Sequence, residues 1–210
     1  MNVRAWSALS LLIAVAATTS ACRQSGSDEH AATHATAPLV DTNEPGPNAN
    51  TRRSFSLIDQ HGQAVTDAAF RGQWLVVFFG FTHCPDFCPT TLFKLRQALT
   101  QLGDDAGKVR VLFITVDPER DTPALMENYL KPFGPQFVGG TGSVEQVAAA
   151  ARAFRTYFQK QPAAADGSYA VDHSTHIYMV NPDGELDRQM SSEATPEQIA
   201  AVLGTVMGTT

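Results

Sequence analysis

Two runs of apolar residues mark the middle of the chain. Residues 74–79 read WLVVFF and residues 109–116 read VRVLFITV. Apolar runs of this length, with little polar alternation, predict strands that are covered on both faces of a sheet. The first run ends in Gly80 and a turn, after which leucines recur with helical spacing at positions 92, 95, 99 and 102. A strand-to-helix junction of this kind is where α/β sheets place their chemistry.

Turn and capping signals predict the elements around these strands. Residues 55–58 alternate and are followed by the turn DQHG, which predicts a short hairpin. A capping box or a proline at the first helical position predicts three helices after the residues Thr122, Ser143 and Thr195. The helix after Ser143 is expected to run to about Phe158.

The order of the elements predicts the fold class. A third strand is expected at 175–180, and the turn NPDG leads from it into a hairpin partner at 185–190. Strand, helix, strand, helix, hairpin and closing helix is a thioredoxin-like order. The sequence therefore predicts an α/β, thioredoxin-like domain with an added N-terminal β-hairpin and a middle insertion that includes residues 133–142.

Cys84 and Cys88 lie in the turn after the first strand, in the segment CPDFCP. The helix could begin at Pro85, with Cys84 as its cap, or at Pro89. Both starts place the sulfurs near the positive end of the helix, which favours thiolate over thiol and allows redox exchange or binding of a soft metal. The alternative is that the two cysteines are buried apolar residues or a static disulfide.

His173 and His176 are candidates for a third ligand. The segment VDHSTH leads into the third strand, whose entry lies beside the helix of the cysteines in a thioredoxin-like sheet. Residues three apart on an extended chain point to opposite faces. The pattern alone does not choose between the two histidines, and a lone histidine at a strand end is also an ordinary surface residue.

The N-terminal residues predict a targeting segment. Residues 1–21 combine Arg4, an apolar stretch and small residues, which indicates a secretory signal peptide. Thr19-Ser20-Ala21-Cys22 resembles the site at which a signal is cut before a lipid-modified cysteine, although ordinary cleavage with an unused Cys22 is the alternative. We expect an exported protein on the periplasmic side of a bacterial membrane, anchored through Cys22.

The segment 22–50 is rich in small and polar residues and predicts a flexible linker rather than a core. Its two histidines, His30 and His34, are interpreted as linker residues, with a metal clip as the alternative. Residues 51–210 are then long enough for one folded domain. The net charge of −6 and the absence of phosphate-binding glycine loops argue against nucleic acid or nucleotides as partners.

Three ordered motifs resemble the Sco/SenC family of copper-handling proteins. They are FGFTHCPDFCP at 79–89, VDPERDTP at 116–123 and VDHS at 171–174. The resemblance implies that Cys84, Cys88 and His173 bind copper, and that Asp117 lies near the site, where a loop-capping role is the alternative. It also implies delivery of copper to the binuclear copper site of a respiratory oxidase, whose copper subunit would be the partner.

The donor set suits copper on chemical grounds. Thiolates favour Cu(I), whereas Cu(II) also accepts imidazole, and zinc is the competing metal for two cysteines and a histidine. The same dithiol could close reversibly to a Cys84–Cys88 disulfide when no metal is bound. Two functions therefore remain, a copper carrier and a thiol-disulfide oxidoreductase that acts on the cysteines of a partner.

Overall fold

The two apolar runs form neighbouring parallel strands in a computed structural model, which describes residues 51–208. The strands of this part are β1 (Thr51–Arg52), β2 (Ser56–Asp59), β3 (Ala64–Thr66), β4 (Trp74–Gly80), β5 (Val109–Thr115), β6 (Phe137–Thr141), β7 (Phe158–Lys160), β8 (Val171–His173), β9 (His176–Val180) and β10 (Glu185–Ser191). The α-helices are α1 (Phe87–Gln101), α2 (Pro123–Leu130), α3 (Val144–Phe154) and α4 (Pro196–Met207). Short 3₁₀ segments lie at Asp67–Phe70, Gly103–Lys108 and Lys131–Phe133.

The main sheet is mixed and has the strand order β1-β10-β9-β4-β5-β6-β2-β3. Strands β4, β5 and β6 are parallel, whereas β9 pairs antiparallel with β4. The carboxyl ends of β4 and β5 and the amino end of β9 therefore lie at one edge of the sheet. Strands β7 and β8 form a separate two-stranded ribbon. The thioredoxin-like fold class predicted from the order of elements is confirmed.

The apolar runs are buried on both faces, as their composition predicts. Alternate residues of β4 face opposite layers: Phe78 packs with the leucines of α1 and with α4, whereas Phe79 packs with Phe154 of α3 and with Tyr178. This period-two division is the ordinary geometry of a strand between two helical layers. Strand β4 is thus covered on both faces, and this fixes the point at which the segment after it leaves the sheet.

The helix starts agree with the capping signals. The hydroxyls of Thr122, Ser143 and Thr195 each accept a hydrogen bond from the third helical residue, and the last two residues belong to complete capping boxes. The predicted extension of α3 to about Phe158 is wrong. Arg155 adopts the left-handed conformation that ends the helix after Phe154, and Phe158 starts the ribbon strand β7.

The segment 133–142, predicted as part of an insertion, contributes a strand to the main sheet. Strand β6 pairs with β5 on one side and with the hairpin strand β2 on the other. Its glycines allow this close approach, since a Cβ at Gly140 would lie 2.9 Å from the Leu57 side chain. The strand thereby joins the N-terminal hairpin to the centre of the fold.

The predictions for the signal peptide, Cys22, His30 and His34 fall outside the described residues. Within residues 51–208, none of the helices is long and apolar enough to cross a membrane.

Gly80 provides a test of the packing between β4 and the site. A Cβ at this position would lie 2.7 Å from Cys88 Sγ and 2.6 Å from the Phe113 ring, both of which are buried. Gly80→Ala should therefore lower the free energy of unfolding by about 1–3 kcal/mol, because an overpacked core must shift. Urea unfolding measures this loss.

Gly107→Ala is the matched control, because a Cβ there meets nothing within 4 Å. Equal stability of the two variants would show that Cys88 and Phe113 move aside without cost.

Candidate metal and redox centre

The helix that carries Cys88 begins at Phe87, so it starts at neither of the two predicted prolines, Pro85 and Pro89. Pro89 is the third residue of the helix. A backbone N–H at this position has no acceptor inside the helix, so a proline costs little. Cys88 therefore lies in the first turn of α1. Cys84 lies in the preceding segment 81–86, which we call the cysteine turn.

The two sulfurs have different environments. The sulfur of Cys84, which is partly exposed, accepts a hydrogen bond of 3.4 Å from the backbone N–H of Cys88. It thus occupies the place of a capping side chain at the helix start. Cys88 is fully buried, and both cysteines are free thiols in this structure.

Burial raises the pKa of the Cys88 thiol well above its ordinary value. The expectation that the helix start favours a thiolate is therefore wrong for this residue. Loss of solvent disfavours the charged form more than the helix end favours it. The sequence pattern indicated the position of the thiol along the chain but not its depth below the surface.

His173 is the histidine that lies beside the cysteines. Its Nε2 is 3.9 Å from Cys88 Sγ, while its Nδ1 is 3.0 Å from the carbonyl oxygen of Val171. A carbonyl can only accept, so Nδ1 carries the proton and Nε2 keeps a free lone pair. Metal bonds of about 2.1 Å to nitrogen and 2.3 Å to sulfur place two donors on one tetrahedral metal roughly 3.6 Å apart. The observed separation is close to that value.

The ribbon of β7 and β8, with its connecting loop 161–170, carries His173 and is called the histidine ribbon below. His173 pairs with Phe158 across this ribbon, and its ring meets the ring of Phe81 edge-on at 5.7 Å. His176 lies at the start of β9, is exposed, and has its ring 6.2 Å from that of Tyr178. The two histidines are thus separated, and only His173 makes a contact with a cysteine in the described structure.

Asp121 is a part of the site that sequence analysis missed. Its side chain is completely buried and accepts hydrogen bonds from the Thr82 N–H at 3.0 Å, the Thr82 hydroxyl at 2.6 Å and the Thr115 hydroxyl at 2.6 Å. It lies 3.6 Å from His83 Nδ1. The carboxylate therefore joins the end of β5 to the cysteine turn. Only the position of Asp121 in the motif at 116–123 could have indicated such a role.

Asp117 contacts its own loop and the histidine ribbon. It forms an ion pair with Arg120 and accepts a hydrogen bond of 2.8 Å from the Tyr169 hydroxyl. Its own N–H donates to the Thr115 hydroxyl at 2.9 Å. Both possibilities considered for Asp117 therefore hold in part: it organises a loop, and that loop borders the site.

The donor atoms do not form a closed metal cage. Within residues 51–208, no three side chains from His, Cys, Asp and Glu converge as a ready metal site. Two contacts link the candidate donors in a row: Cys84 Sγ to the N–H of Cys88, and Cys88 Sγ to His173 Nε2. The centre is an open dithiol with one oriented imidazole beside its buried thiol.

A thioredoxin-like sheet with a dithiol turn and a facing imidazole defines a class of small thiol- and metal-handling domains. A sequence profile of the SCO1/SenC family matches residues 43–208. The chain is 48% identical over 147 residues to the mitochondrial SCO2 homolog of Bos taurus, an alignment that covers 69% of this chain and 55% of the relative. It is 41% identical over 155 residues to the human mitochondrial SCO1 homolog, covering 73% of this chain and 52% of the relative.

A solved structure of copper-bound ScoI from Bradyrhizobium japonicum is 44% identical and superposes with a TM-score of 0.67, covering 73% of this chain and 98% of that one. The chain belongs to the SCO1/SenC family. It spans about half the length of the curated relatives that it matches.

The predicted cellular location is corrected by these relatives. Both curated relatives are named as mitochondrial proteins, which contradicts a lipid-anchored protein on the periplasmic side of a bacterial membrane. Residues 1–27 contain arginines, an apolar stretch and no acidic residue. Basic, acid-poor N-terminal segments occur in export signals and in organelle transit peptides alike, so this pattern did not determine the compartment.

The unequal burial of the thiols predicts unequal reactivity. In the metal-free, reduced protein at pH 8, iodoacetamide should modify Cys84 at least about tenfold faster than Cys88. Burial both blocks access to Cys88 and raises its pKa, and only the thiolate reacts. Peptide mass spectrometry over time measures the two rates.

The rate at Cys88 should increase as the pH rises, and the two rates should become similar in denaturant. Faster modification of Cys88 than of Cys84 in the folded protein would contradict this assignment.

Proposed function

We propose that this chain is a copper chaperone, which binds one copper ion through Cys84, Cys88 and His173 and delivers it to the binuclear copper site of cytochrome c oxidase during assembly. The observation that carries the proposal is the 3.9 Å approach of His173 Nε2 to Cys88 Sγ, with Nδ1 engaged by a backbone carbonyl. The unit responsible is the domain predicted over residues 51–210.

The donor chemistry supports copper over zinc. Thiolate sulfur is a soft donor and suits Cu(I), while the addition of one imidazole suits Cu(II). A structural zinc site has four protein ligands, one more than the three donors proposed here. The copper-bound Bradyrhizobium structure, at 44% identity, supports the same choice.

The exposure of Cys84 supports release as well as binding. This thiol is partly exposed, and its neighbours His83, Pro85 and Phe87 are exposed. The thiolates of a partner could therefore approach on this side and replace the donors one at a time, starting from Cys84. A donor set with an accessible member suits transfer, whereas a closed cage would suit permanent binding.

The ligand set predicts different effects of single substitutions. Cys84→Ala and Cys88→Ala should abolish tight binding of Cu(I) and Cu(II), because each removes a soft anionic donor. His173→Ala should weaken Cu(II) by at least about tenfold and Cu(I) much less, since two thiolates can still hold Cu(I). Chelator competition and the thiolate-to-copper absorption band measure these effects.

His176→Ala is the matched control for the histidine, because it removes the same side chain from an exposed position without a cysteine contact. If His176→Ala alters the Cu(II) spectrum and His173→Ala does not, the ligand assignment is wrong. A purified reduced protein that binds no copper would overturn the proposed function itself.

A second function is favoured by the arrangement of the free thiols. A partly exposed Cys84 beside a buried Cys88 suits attack on a disulfide of a partner, followed by closure of a Cys84–Cys88 disulfide. In that exchange two electrons pass to the partner, whose two sulfurs leave as thiols. The three-residue spacing between the cysteines differs from the two-residue spacing of thioredoxin-type reductants.

A transfer experiment separates the two functions. The copper-loaded chain is mixed with the reduced, copper-free copper subunit of the oxidase, and the metal-free reduced chain is mixed with the oxidised subunit. A carrier should lose its copper to the reduced subunit, measured by the absorption of the binuclear site. Reduction of the oxidised subunit without transfer in the first mixture would assign the oxidoreductase function instead.

A further inference from the structure

The loop 117–121 lies between the cysteine turn and the histidine ribbon. It follows β5 and precedes α2, at the edge of the sheet where β4 also ends. Asp121 of this loop contacts the cysteine turn, whereas Asp117 and Glu119 contact the histidine ribbon. The loop supplies none of the three candidate donors, so its role in the site must be indirect.

The contact on the cysteine side is short and buried. Asp121 receives the backbone N–H and the hydroxyl of Thr82, two residues before Cys84, and the Thr115 hydroxyl ties the same carboxylate to β5. A buried carboxylate that loses its donors is strongly disfavoured, so these bonds fix where the turn leaves the sheet. The hydroxyl of Thr141 fastens the backbone of Asp121 at 2.8 Å.

The contact on the histidine side centres on Tyr169, beside an exposed ion pair between Glu119 and Lys160 of β7. The hydroxyl of Tyr169 donates to Asp117 at 2.8 Å, and its carbonyl oxygen accepts from Arg120 Nη2 at 3.2 Å. The Arg120 guanidinium lies 3.6 Å from the centre of the Tyr169 ring. Tyr169 is two residues before Val171, whose carbonyl orients His173.

The histidine ribbon needs such a contact because it is not part of the main sheet. Strands β7 and β8 pair only with each other in the described structure. The position of His173 relative to the cysteines is therefore not fixed by the backbone ladder that fixes β4, β5 and β9. Side chains must supply that constraint, and those of the loop 117–121 reach the ribbon.

We propose that the loop 117–121 is a brace between the two halves of the site, with Asp121 as the positioning residue for the cysteine turn and Tyr169 as the positioning residue for His173. The proposal rests on the copper function argued above. The brace has two arms: the hydrogen bonds between Asp121 and Thr82, and the contacts of Tyr169 with Asp117 and Arg120. Each arm should affect only the donors that it holds.

The two arms predict two different patterns of copper binding. Asp121→Asn should weaken both Cu(I) and Cu(II) by about tenfold or more, because it displaces the thiols that bind both ions. Tyr169→Phe removes only the hydroxyl and should weaken Cu(II) by about tenfold while leaving Cu(I) within about twofold. Chelator competition on the 210-residue chain measures both affinities, and the thiolate-to-copper band reports the change in ligand geometry.

Matched controls carry the same chemical change elsewhere. Tyr178→Phe removes a tyrosine hydroxyl that shares a hydrogen bond of 2.7 Å with Thr156, outside the histidine ribbon and the loop 117–121. Asp105→Asn alters a carboxylate paired with Lys108 before β5, at the opposite edge of the sheet. Both controls should retain the affinities of the unaltered protein. The brace is refuted if each test variant behaves as its control does, or if both test variants weaken Cu(I) and Cu(II) equally.

Two measurements without metal keep the brace distinguishable from the copper function. In glutathione buffers, Asp121→Asn should shift the dithiol–disulfide equilibrium constant of Cys84 and Cys88 by about tenfold, whereas Tyr169→Phe should not shift it. Hydrogen exchange at the Thr82 N–H should become faster only in Asp121→Asn. If the unaltered protein binds no copper, the proposed function fails, while these two results still decide whether the cysteine arm of the brace exists.

Thr82→Val is the replacement variant for testing the cysteine arm if Asp121→Asn does not fold. It removes one of the three donors and leaves the carboxylate, so it should shift the equilibrium constant in the same direction by a smaller factor. An equilibrium constant identical to that of the unaltered protein would refute the cysteine arm of the brace.

Discussion

A carboxylate without solvent access, that of Asp121, accepts hydrogen bonds from the end of β5 and from the start of the cysteine turn. In an apolar interior such a group is tolerated only when donors surround it, and three donors do so here. Movement of the cysteine turn away from Asp121 would break the two hydrogen bonds from Thr82. Movement of Asp121 away from β5 would break the hydrogen bond from Thr115. The positions of both cysteines depend on this constraint, because Cys84 follows the tied residue Thr82 by two positions.

The topology of the sheet brings the remaining parts to the same edge. Parallel pairing puts the carboxyl ends of β4 and β5 side by side. Antiparallel pairing with β4 places the amino end of β9 at the same edge. The histidine needs one more step, since it lies on a ribbon outside the sheet ladder. Hydrogen bonds to the buried Asp121 carboxylate hold the cysteine turn, whereas contacts of Tyr169 and an exposed ion pair tie the histidine ribbon to the loop 117–121.

The elements with a local physical signature could be predicted from the sequence, and those set by tertiary contacts could not. Covered strands need continuous apolar residues, and capped helices need hydroxyls at their starts, so β4, β5, α2, α3 and α4 were predicted. Strand β6 has too little apolar pattern because close packing requires Gly139 and Gly140. The end of α3 depends on the left-handed conformation of Arg155, which no local pattern indicates.

In the candidate site, too, features with a local sequence pattern could be predicted and features set by tertiary contacts could not. Spacing and order along the chain were enough to place Cys84 and Cys88 at one edge of the sheet, whereas the choice of His173 over His176 came from the family resemblance. The acid–base state of Cys88 was not predictable, because its pKa is raised by burial beneath layers that assemble only in the folded protein. Asp121 was missed for a related reason: a carboxylate in a charged motif reads as a surface residue until the fold surrounds it with donors.

The burial of Cys88 sets a condition on the proposed binding of copper by this thiol. Desolvation keeps an isolated Cys88 in its thiol form, since a lone thiolate in an apolar interior is costly. A cation bound at the same place removes that cost, because the charge is then paired and the proton is released. In the proposed site, the partly exposed Cys84 would meet an incoming ion first, and the buried Cys88 would lose its proton when the ion reached it. On the proposed ligand set, the buried thiol would hold the metal, and the partly exposed thiol would be the donor that a partner replaces first.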